Sequence, residues 1–464
     1  KLNCIILFKH LKKNLGNKIT LVGAGLAGSL LAVYLAKKGF EVNVYERRSD
    51  MRKGPVERGR SINLALSTRG IHALKEIGLY DEIKKIAIPM YGRMMHPIEG
   101  ELMFQRYGKD DSEYINSVSR STLNMKLIDL AEQFSNIKIH FNQRCAGMNF
   151  DTDECYFVND LTNENYSVQS DTIIGTDGSA SALRIDMLKL PRFDFSQEYL
   201  QHGYKELNIP AGANDSFQME KNALHIWPRG TFMLIALPNL DGSFTCTLFH
   251  PFDGEEGLNN LNTKEKVLTF FKKYFPDSLS LVENIEESFF ANPTGNLMTV
   301  RCGPWYYKDK VALLGDAAHA IVPFFGQGMN AAFEDCTVLN ECIEKYGSDW
   351  NKVYPEYFSL RKANTDAIAD LALENFIEMR DKIADKRFLL NKKIEAELFK
   401  KFPDTFVPKY SMVTFYRFPY STALNRGNIQ QEILNELSEG KNTIEEIDFS
   451  KGEKLVQEKL TKLI

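Results

Sequence analysis

Apolar and polar positions change period several times along the chain, and each change marks an element. Ile19-Thr20-Leu21-Val22 is a short apolar run of the buried-strand kind, closed by a glycine turn. From about Leu26 to Lys38 the spacing turns helical. Lys37 and Lys38 in its last turn suit the helix dipole, and Gly39 is placed to end it. A second strand runs from Glu41 to Tyr45 and closes on Glu46, completing a βαβ start. After Met51 the pattern becomes irregular and basic through Arg52, Lys53, Arg58 and Arg60. Pro89 to Tyr114 reads as strands and turns, and Ser119 to Phe134 as an amphipathic helix. Ile137 to Ile174 reads as alternating strands with Asp- and Asn-rich turns. Residues 195–300 read as strand-rich, with a turn at Asn239-Leu240-Asp241-Gly242. Val311 to Leu314 is another buried strand, running into a glycine-rich helix start. From Tyr354 onward the chain reads as mainly helical, interrupted by a Pro- and aromatic-rich stretch at 402–420. This order predicts an α/β chain in which a βαβ unit is interrupted by a mostly antiparallel sheet and followed by a helical region.

Composition narrows the function classes. A length of 464 residues suggests two or three structural units at roughly 100–200 residues each. The net charge of -4 supplies no bulk field to recruit nucleic acid. The seven cysteines, at 4, 145, 155, 246, 302, 336 and 342, show no CxxC spacing, and their odd number argues against a disulfide framework. A reduced, cytoplasmic protein without a metal site is expected. No run approaches the roughly 20 apolar residues that span a bilayer. The most apolar long segment, Val311 to Phe333, is broken by Asp316, His319, Gln327 and Asn330. No transmembrane anchor is therefore expected. Residues 1–17 read as an N-terminal extension, with a basic surface-binding helix as the alternative.

Three motifs carry chemistry. Gly23-Ala24-Gly25-Leu26-Ala27-Gly28 follows a strand and opens a helix. Its small residues let the backbone turn tightly, and the free N–H groups of the helix start face a pyrophosphate. Glu46, with Arg47 beside it, stands at the end of the next strand, 18 residues after Gly28, placed to accept from a ribose diol. The motif alone does not separate FAD from NAD. In the second, Thr172-Ile173-Ile174-Gly175-Thr176-Asp177-Gly178, a strand ends in Gly-x-Asp-Gly and small residues lead to Arg184. In the third, Val311 to Leu314 ends in Gly315-Asp316-Ala317-Ala318-His319. Asp316 can accept from a sugar or ribityl hydroxyl. Taken singly, the last two would be caps and turns.

In this order the motifs resemble the FAD-dependent aromatic hydroxylases of the para-hydroxybenzoate hydroxylase type. That resemblance implies a Rossmann-like FAD-binding domain with an interleaved, mostly antiparallel substrate sheet and a C-terminal helical region. It places the FAD-binding domain at 18–88, 115–194 and 291–345, the substrate sheet at 89–114 and 195–290, and the helical region at 346–464. The first motif then binds the ADP half of FAD, Asp177 lies near FAD and the passing NADPH, and Asp316 holds the ribityl chain. Arg120, in Ser119-Arg120-Ser121-Thr122-Leu123, matches a family arginine near the FAD. The resemblance also implies no second GxGxxG for NADPH, and the chain has none.

Longer strings narrow the likeness to the branch that hydroxylates kynurenine. They are Gly59 to Leu66, His202-Gly203-Tyr204-Lys205-Glu206, Leu224-His225-Ile226-Trp227-Pro228, Val322 to Asn330, and Lys409 to Phe415. The likeness spans about Lys18 to Gly427. The C-terminal stretch Lys454–Lys462 is charged where eukaryotic members carry a membrane anchor, so the chain looks like the soluble bacterial form. The implied reaction takes L-kynurenine, NADPH and O2 to 3-hydroxy-L-kynurenine through a flavin C4a-hydroperoxide. It is a step of tryptophan breakdown and of quinolinate and NAD synthesis. The likeness assigns substrate binding to Arg93, Tyr107, Asn375 and Tyr410. Glu378 and Met379, one turn after Asn375 on an expected helix, either complete the pocket or are plain helix-face residues. Pro323, Phe324, Phe325, Gly326, Gln327 and Gly328 would shield the flavin, with Gly328, Met329 and Asn330 also touching it. The mechanism asks for no side chain as an obligatory base, so His319 reads as a helix-start residue. A monomer or homodimer is expected. A flavin monooxygenase acting on another aromatic acid is the nearest alternative. A flavin-binding module without turnover would have lost the second and third motifs.

Overall fold

The computed structural model describes residues 18–54, 63–379 and 385–463. The 1–17 extension, Arg58 and Arg60 lie outside the described residues, as does the start of the Gly59–Leu66 string. Lys18–Val22 is the core of a six-stranded sheet, with Ile19, Thr20 and Leu21 fully buried. A strand covered on both faces needs a continuous apolar run, which is what this segment offers. The strand order is Tyr306–Tyr307, Val311–Leu313, Thr172–Gly175, Lys18–Val22, Glu41–Glu46, Ile137–Phe141. All neighbours run parallel except the Tyr306–Tyr307 edge strand. Val22 lies opposite both Tyr45 and Gly175, and Gly175 lies opposite Leu313. The central strands therefore end at one level. Gly23, Glu46, Asp177 and Asp316 leave the sheet along the same carboxyl edge, where open parallel sheets bind ligands.

The helices around this sheet fall where their periodicity predicts. Leu26–Lys37 is helical, and Gly39 follows its cap with φ +88°. Arg120–Ala131 is helical and starts from Ser119, whose hydroxyl accepts from Thr122 N. The expected turn closes through Gly242 N to Asn239 O, with Gly242 at φ +83°.

A seven-stranded sheet holds Thr294–Gly303, Asp194–Ile209, Phe244–Pro251, Phe232–Pro238, Ala223–Arg229, Gly92–Met95 and Met103–Arg106, in that order. Two readings are corrected here. Residues 264–291 form helices, Lys264–Tyr274, Pro276–Leu279 and Ile285–Ala291, where strands were expected. Their aromatic content mimics a strand signal, but Val267, Phe270 and Phe271 recur at helical spacing and pack as one buried cluster against Trp227 and Leu248. The strand Thr294–Gly303 pairs with Asp194–Ile209, so it belongs to this sheet and not to the parallel one.

The C-terminal region is helical, as read, but starts at Trp350, before Tyr354. Lys386–Lys401, Tyr420–Ser438 and Phe449–Lys459 enclose their own cluster of Leu390, Ile394, Leu398, Ile433 and Val456. The 402–420 stretch is irregular apart from the short helix Lys409–Thr414. Among the described residues no helix is long and apolar enough to cross a membrane, the six cysteines are free, and no side-chain cluster could hold a metal.

A buried ionic network joins these parts. Helix Gly328–Tyr346 supplies Glu334 and Asp335, helix Trp350–Ile377 supplies Arg361, and helix Thr68–Ile77 supplies Arg69. Arg361 donates to Asp335 Oδ1 and to Glu334 Oε2, both at 2.7 Å. Arg69 Nε donates to Glu334 Oε2 at 3.1 Å, and its remaining N–H groups donate to the Val413 and Phe418 carbonyls. Asp335 is fully buried, and Arg69 and Arg361 are nearly so. Burial alone would raise the Asp335 carboxyl, but His319 and Arg361 outweigh it and hold the group below the usual carboxylate range.

Arg361→Met should cost on the order of 3–5 kcal/mol, because Asp335 stays buried with a cation removed. The pH dependence has a definite sign. A depressed folded value makes the Asp335 contribution complete above the unfolded carboxylate value of about 3.9, and it is lost as pH falls through the folded value. In Arg361→Met the folded value moves up, so acid unfolding followed by circular dichroism should begin at higher pH. An unchanged acid midpoint would contradict this account.

Candidate active site

The glycine turn is built for a diphosphate. Gly23 has φ +103°, and a Cβ there would meet the Thr176 carbonyl oxygen at 2.7 Å. A Cβ on Gly28 would come within 2.0 Å of Gly23 O and 2.5 Å of Thr176 Oγ1. Both glycines are therefore required by the protein itself, through close approach of the first turn to the second motif. Gly25 is different: a Cβ there would meet nothing within 4 Å. Gly25 caps a helix start with open space beside it, the setting an anion needs. Ala24 N donates to Glu46 Oε2 at 2.8 Å, and Arg48 N and Nε both donate to Glu46 Oε1 at 3.0 Å. Glu46 thus holds the turn, and its unused lone pairs can accept from a ribose. Arg47 is exposed beside it.

The second and third motifs meet at the same edge. Asp177 Oδ2 accepts from Ala182 N at 2.8 Å, while its buried Oδ1 has no partner among the described residues. Burial pushes its carboxyl up. Arg184 donates to Ala317 O at 2.7 Å and also to Ser179 O, which ties the two motifs together. Asp316 is exposed at the start of its helix, free to meet a polyol. Arg120 is exposed at the start of helix Arg120–Ala131. His319 is buried, and its Nε2 lies 2.5 Å from Asp335 Oδ2, which also accepts from Gly315 N at 3.2 Å. The imidazole is part of the buried network, in keeping with a positional role. These donors, acceptors and glycines fit a flavin dinucleotide.

The loop after the third motif walls off a pocket. Pro323–Phe325 is one turn of 3-10 helix, ended by Gly326 at φ +66°. Phe324 stacks on Phe376 at 4.2 Å between ring centres and also meets Phe249 at 4.8 Å. Phe325 turns the other way and stacks on Tyr410 at 5.5 Å. Gln327 accepts from Tyr420 OH at 2.9 Å. Asn330 is fully buried, with Oδ1 accepting from Ser67 N and Nδ2 donating to Ala65 O and Gly326 O. Its side-chain amide shapes the loop. Met329 is partly buried and packs against the main core. A Cβ on Gly328 would meet only Ile321, at 3.8 Å, leaving that helix start open.

Arg93, Tyr107 and Tyr410 come together although they lie on three separate segments. The Arg93 guanidinium carbon is 5.5 Å from the Tyr107 ring centre and 5.1 Å from that of Tyr410. The two tyrosines stack at 5.3 Å and 11°. Burial pushes both phenols up, so both keep the hydrogen they can donate. Arg93 Nε and Tyr107 OH are buried without a partner among the described residues. Asn375 Nδ2 donates to Phe324 O at 2.6 Å, fixing the wall, and approaches Met379 Sδ at 3.3 Å. Phe325, Asn375, Glu378, Lys392 and Tyr410 line one pocket.

The buried arginines Arg69 and Arg361 and the Gln327 partner Tyr420 are support the motif reading missed. Arg184 was legible as the end of the second motif string, but not its bond to Ala317 O. Arg69 and Glu334 stand 265 residues apart, and no local pattern pairs them.

Comparison with known proteins agrees with this geometry. A family model described as FAD binding domain matches residues 17–346. A solved structure, the tetrameric form of 2-methyl-3-hydroxypyridine-5-carboxylic acid oxygenase, shares the fold with a TM-score of 0.64 at 19% identity, covering 81% of this chain and 95% of its own. The fold and the site therefore define a FAD-binding protein of the monooxygenase type. A kynurenine 3-monooxygenase of Myxococcus xanthus is 51% identical over 443 residues, 96% of this chain and 95% of the relative. Another, of Dictyostelium discoideum, is 48% identical over 462 residues, 97% of this chain and 99% of the relative. The chain belongs to the kynurenine 3-monooxygenase family.

Gly25→Ala and Gly28→Ala should separate ligand space from packing. Gly28→Ala should lower the thermal stability of the flavin-free protein, by about 1–3 kcal/mol for an overpacked contact. Gly25→Ala should leave that stability unchanged yet weaken FAD binding roughly tenfold to a hundredfold, the worth of one charge-assisted hydrogen bond. Flavin titration with differential scanning fluorimetry reads both. Equal FAD affinity in Gly25→Ala and the unsubstituted protein would remove the diphosphate from this turn.

Proposed function

We propose that the protein hydroxylates L-kynurenine at the ring carbon beside the amine, consuming NADPH and O2. The observation that carries this reading is the set of buried donors without partners among the described residues, Arg93 Nε and Tyr107 OH, beside an aromatic wall. Bound FAD supplies the redox chemistry, taking electrons from NADPH and delivering them to O2, one atom of which reaches the ring. The protein's part is to bind, orient and exclude water.

The planar guanidinium of Arg93 suits a carboxylate, and the phenols of Tyr107 and Tyr410 supply further donors to the same anion. Glu378 lines a pocket with Tyr410, and its carboxylate lies 3.9 Å from Lys392 Nζ in the same lining. Phe324 and Phe325 hold the reacting ring away from water, in a wall fixed by the Asn375 amide. The aromatic amine of kynurenine activates the neighbouring carbon, so no strong base is required. Cytoplasmic residence is part of this proposal, and rests on the cysteine pattern.

The test is a product assay with FAD-loaded protein, NADPH and kynurenine, read by mass spectrometry. Kynurenine should accelerate NADPH oxidation and yield 3-hydroxykynurenine. Acceleration by another aromatic acid, with kynurenine left intact, would reassign the substrate. Arg93→Ala should raise the kynurenine KM roughly a hundredfold, the equivalent of about 3 kcal/mol for two charge-assisted contacts. FAD content should not change. A KM equal to that of the unsubstituted enzyme would take Arg93 out of the site.

A further inference from the structure

Just past the strand that carries Arg93 lies a chain of polar groups without a role in the reaction, two buried imidazoles that end on the exposed Asp277. His96 Nδ1 is 2.9 Å from Asp277 Oδ2, and His96 Nε2 is 2.8 Å from His225 Nδ1. His225 Nε2 is 2.8 Å from the Glu220 carbonyl oxygen. Trp227 Nε1 donates to Asp277 Oδ2 at 2.7 Å, and its ring stacks on His96 at 3.9 Å. His96 and His225 are 4% and 1% exposed, so bulk water does not compete for their nitrogens. The charged groups facing them are Asp277, Arg229, which donates to His96 O at 2.9 Å, and Glu220.

Counting hydrogens shows that this chain is not neutral by construction. A carboxylate oxygen stands at one end and a carbonyl oxygen at the other, and both only accept. The three contacts between them need three hydrogens. Two neutral imidazoles carry two. All four ring nitrogens are engaged, so flipping either ring would break contacts and supply no hydrogen. One surplus proton is therefore shared by the three side chains. Trp227 already donates to Asp277 Oδ2, which disfavours placing the proton on that oxygen. Burial holds the His225 ring down at about 4, which disfavours the proton there. The Asp277 carboxyl is held low: burial opposes this, and the His96 and Trp227 hydrogen bonds prevail.

The location gives the proton a consequence. Gly92–Met95 pairs with Ala223–Arg229 on one side and with the edge strand Met103–Arg106 on the other. Arg93 lies opposite Leu224, and Tyr107 N extends the edge pairing to Tyr91 O at 3.0 Å. Both pocket donors thus hang on one strand pair. His96 and His225 tie the end of Gly92–Met95 to Ala223–Arg229, on the side away from the edge strand, where His96 N also donates to Ile226 O at 2.9 Å, so they anchor the strand from which both donors hang. Removing the proton leaves three contacts with two hydrogens, so one contact opens.

We propose that His96, His225 and Asp277 form a positioning unit that holds one surplus proton and keeps Arg93 and Tyr107 in register for the substrate. The link to substrate rests on the pocket reading above; the proton count does not. In 15N-histidine spectra of the FAD-loaded protein, one of its eight histidines should keep both ring nitrogens protonated at about pH 8, where an exposed imidazole is neutral. Asp277→Asn keeps an acceptor but removes the charge, so the doubly protonated ring should disappear at that pH. The kynurenine KM of Asp277→Asn should then rise roughly fivefold or more at about pH 8 and return toward the unsubstituted value at about pH 6. kcat and flavin content should stay within about twofold.

Absence of a doubly protonated ring in the unsubstituted protein would overturn the proton count, whether or not the variant folds. A KM raised by the same factor at both pH values would overturn the positioning role and leave a plain packing defect. An Arg93→Ala enzyme with unchanged KM would overturn the pocket reading and cut the link to substrate, while the histidine spectrum would still decide the proton.

Discussion

Two arginines and two carboxylates are buried together where helix Gly328–Tyr346 meets the helices on either side of it. Taking such charges out of water costs several kcal/mol each, and only complete pairing offsets it. Arg361 covers Asp335 and Glu334, Arg69 covers Glu334 from the other side, and His319 and Gly315 N complete Asp335. Arg69 then donates to the Val413 and Phe418 carbonyls, and its guanidinium sits 3.8 Å from the Tyr420 ring centre. The third motif, the wall loop and the C-terminal helices are therefore tied to one electrostatic knot. None can shift without exposing an unpaired charge to a dry interior.

What the knot holds in place is a set of groups left incomplete. Arg93 Nε and Tyr107 OH are buried without partners among the described residues, at a cost of about 1–3 kcal/mol each until something accepts from them. A pocket preorganised this way binds an anion without first having to break its own hydrogen bonds. The two adjacent phenylalanines of the wall divide the work. Phe324 packs inward on Phe376 and Phe249, and Phe325 packs toward Tyr410. A loop anchored on one face can present a rigid aromatic surface on the other.

The solved oxygenase with the same fold at 19% identity shows how little of the sequence the architecture demands. In this chain the nucleotide end rests on strands that end at one level with glycines and acids at their tips. Arg93, Tyr107 and Tyr410 are presented by the sheet edge and by a short helix instead, elements that can change without disturbing the nucleotide end.

By itself the sequence determined the local elements and the chemistry of each tip. The strand Lys18–Val22, the helix Leu26–Lys37 and the three glycine-acid motifs were legible because period, caps and turns act over a few residues. The pocket residues were legible only through likeness to a family. The helices at 264–291 were misread, because phenylalanine-rich segments satisfy strand preference and helical packing alike. Only the tertiary structure decided which strands stand side by side. It alone brought Asp177 and Asp316 level with Gly23, closed Arg69 on Glu334 across 265 residues, and joined His96 to His225 and Asp277. Those pairings are set by burial, since a charge or a ring nitrogen removed from water must find its partner wherever the fold places one.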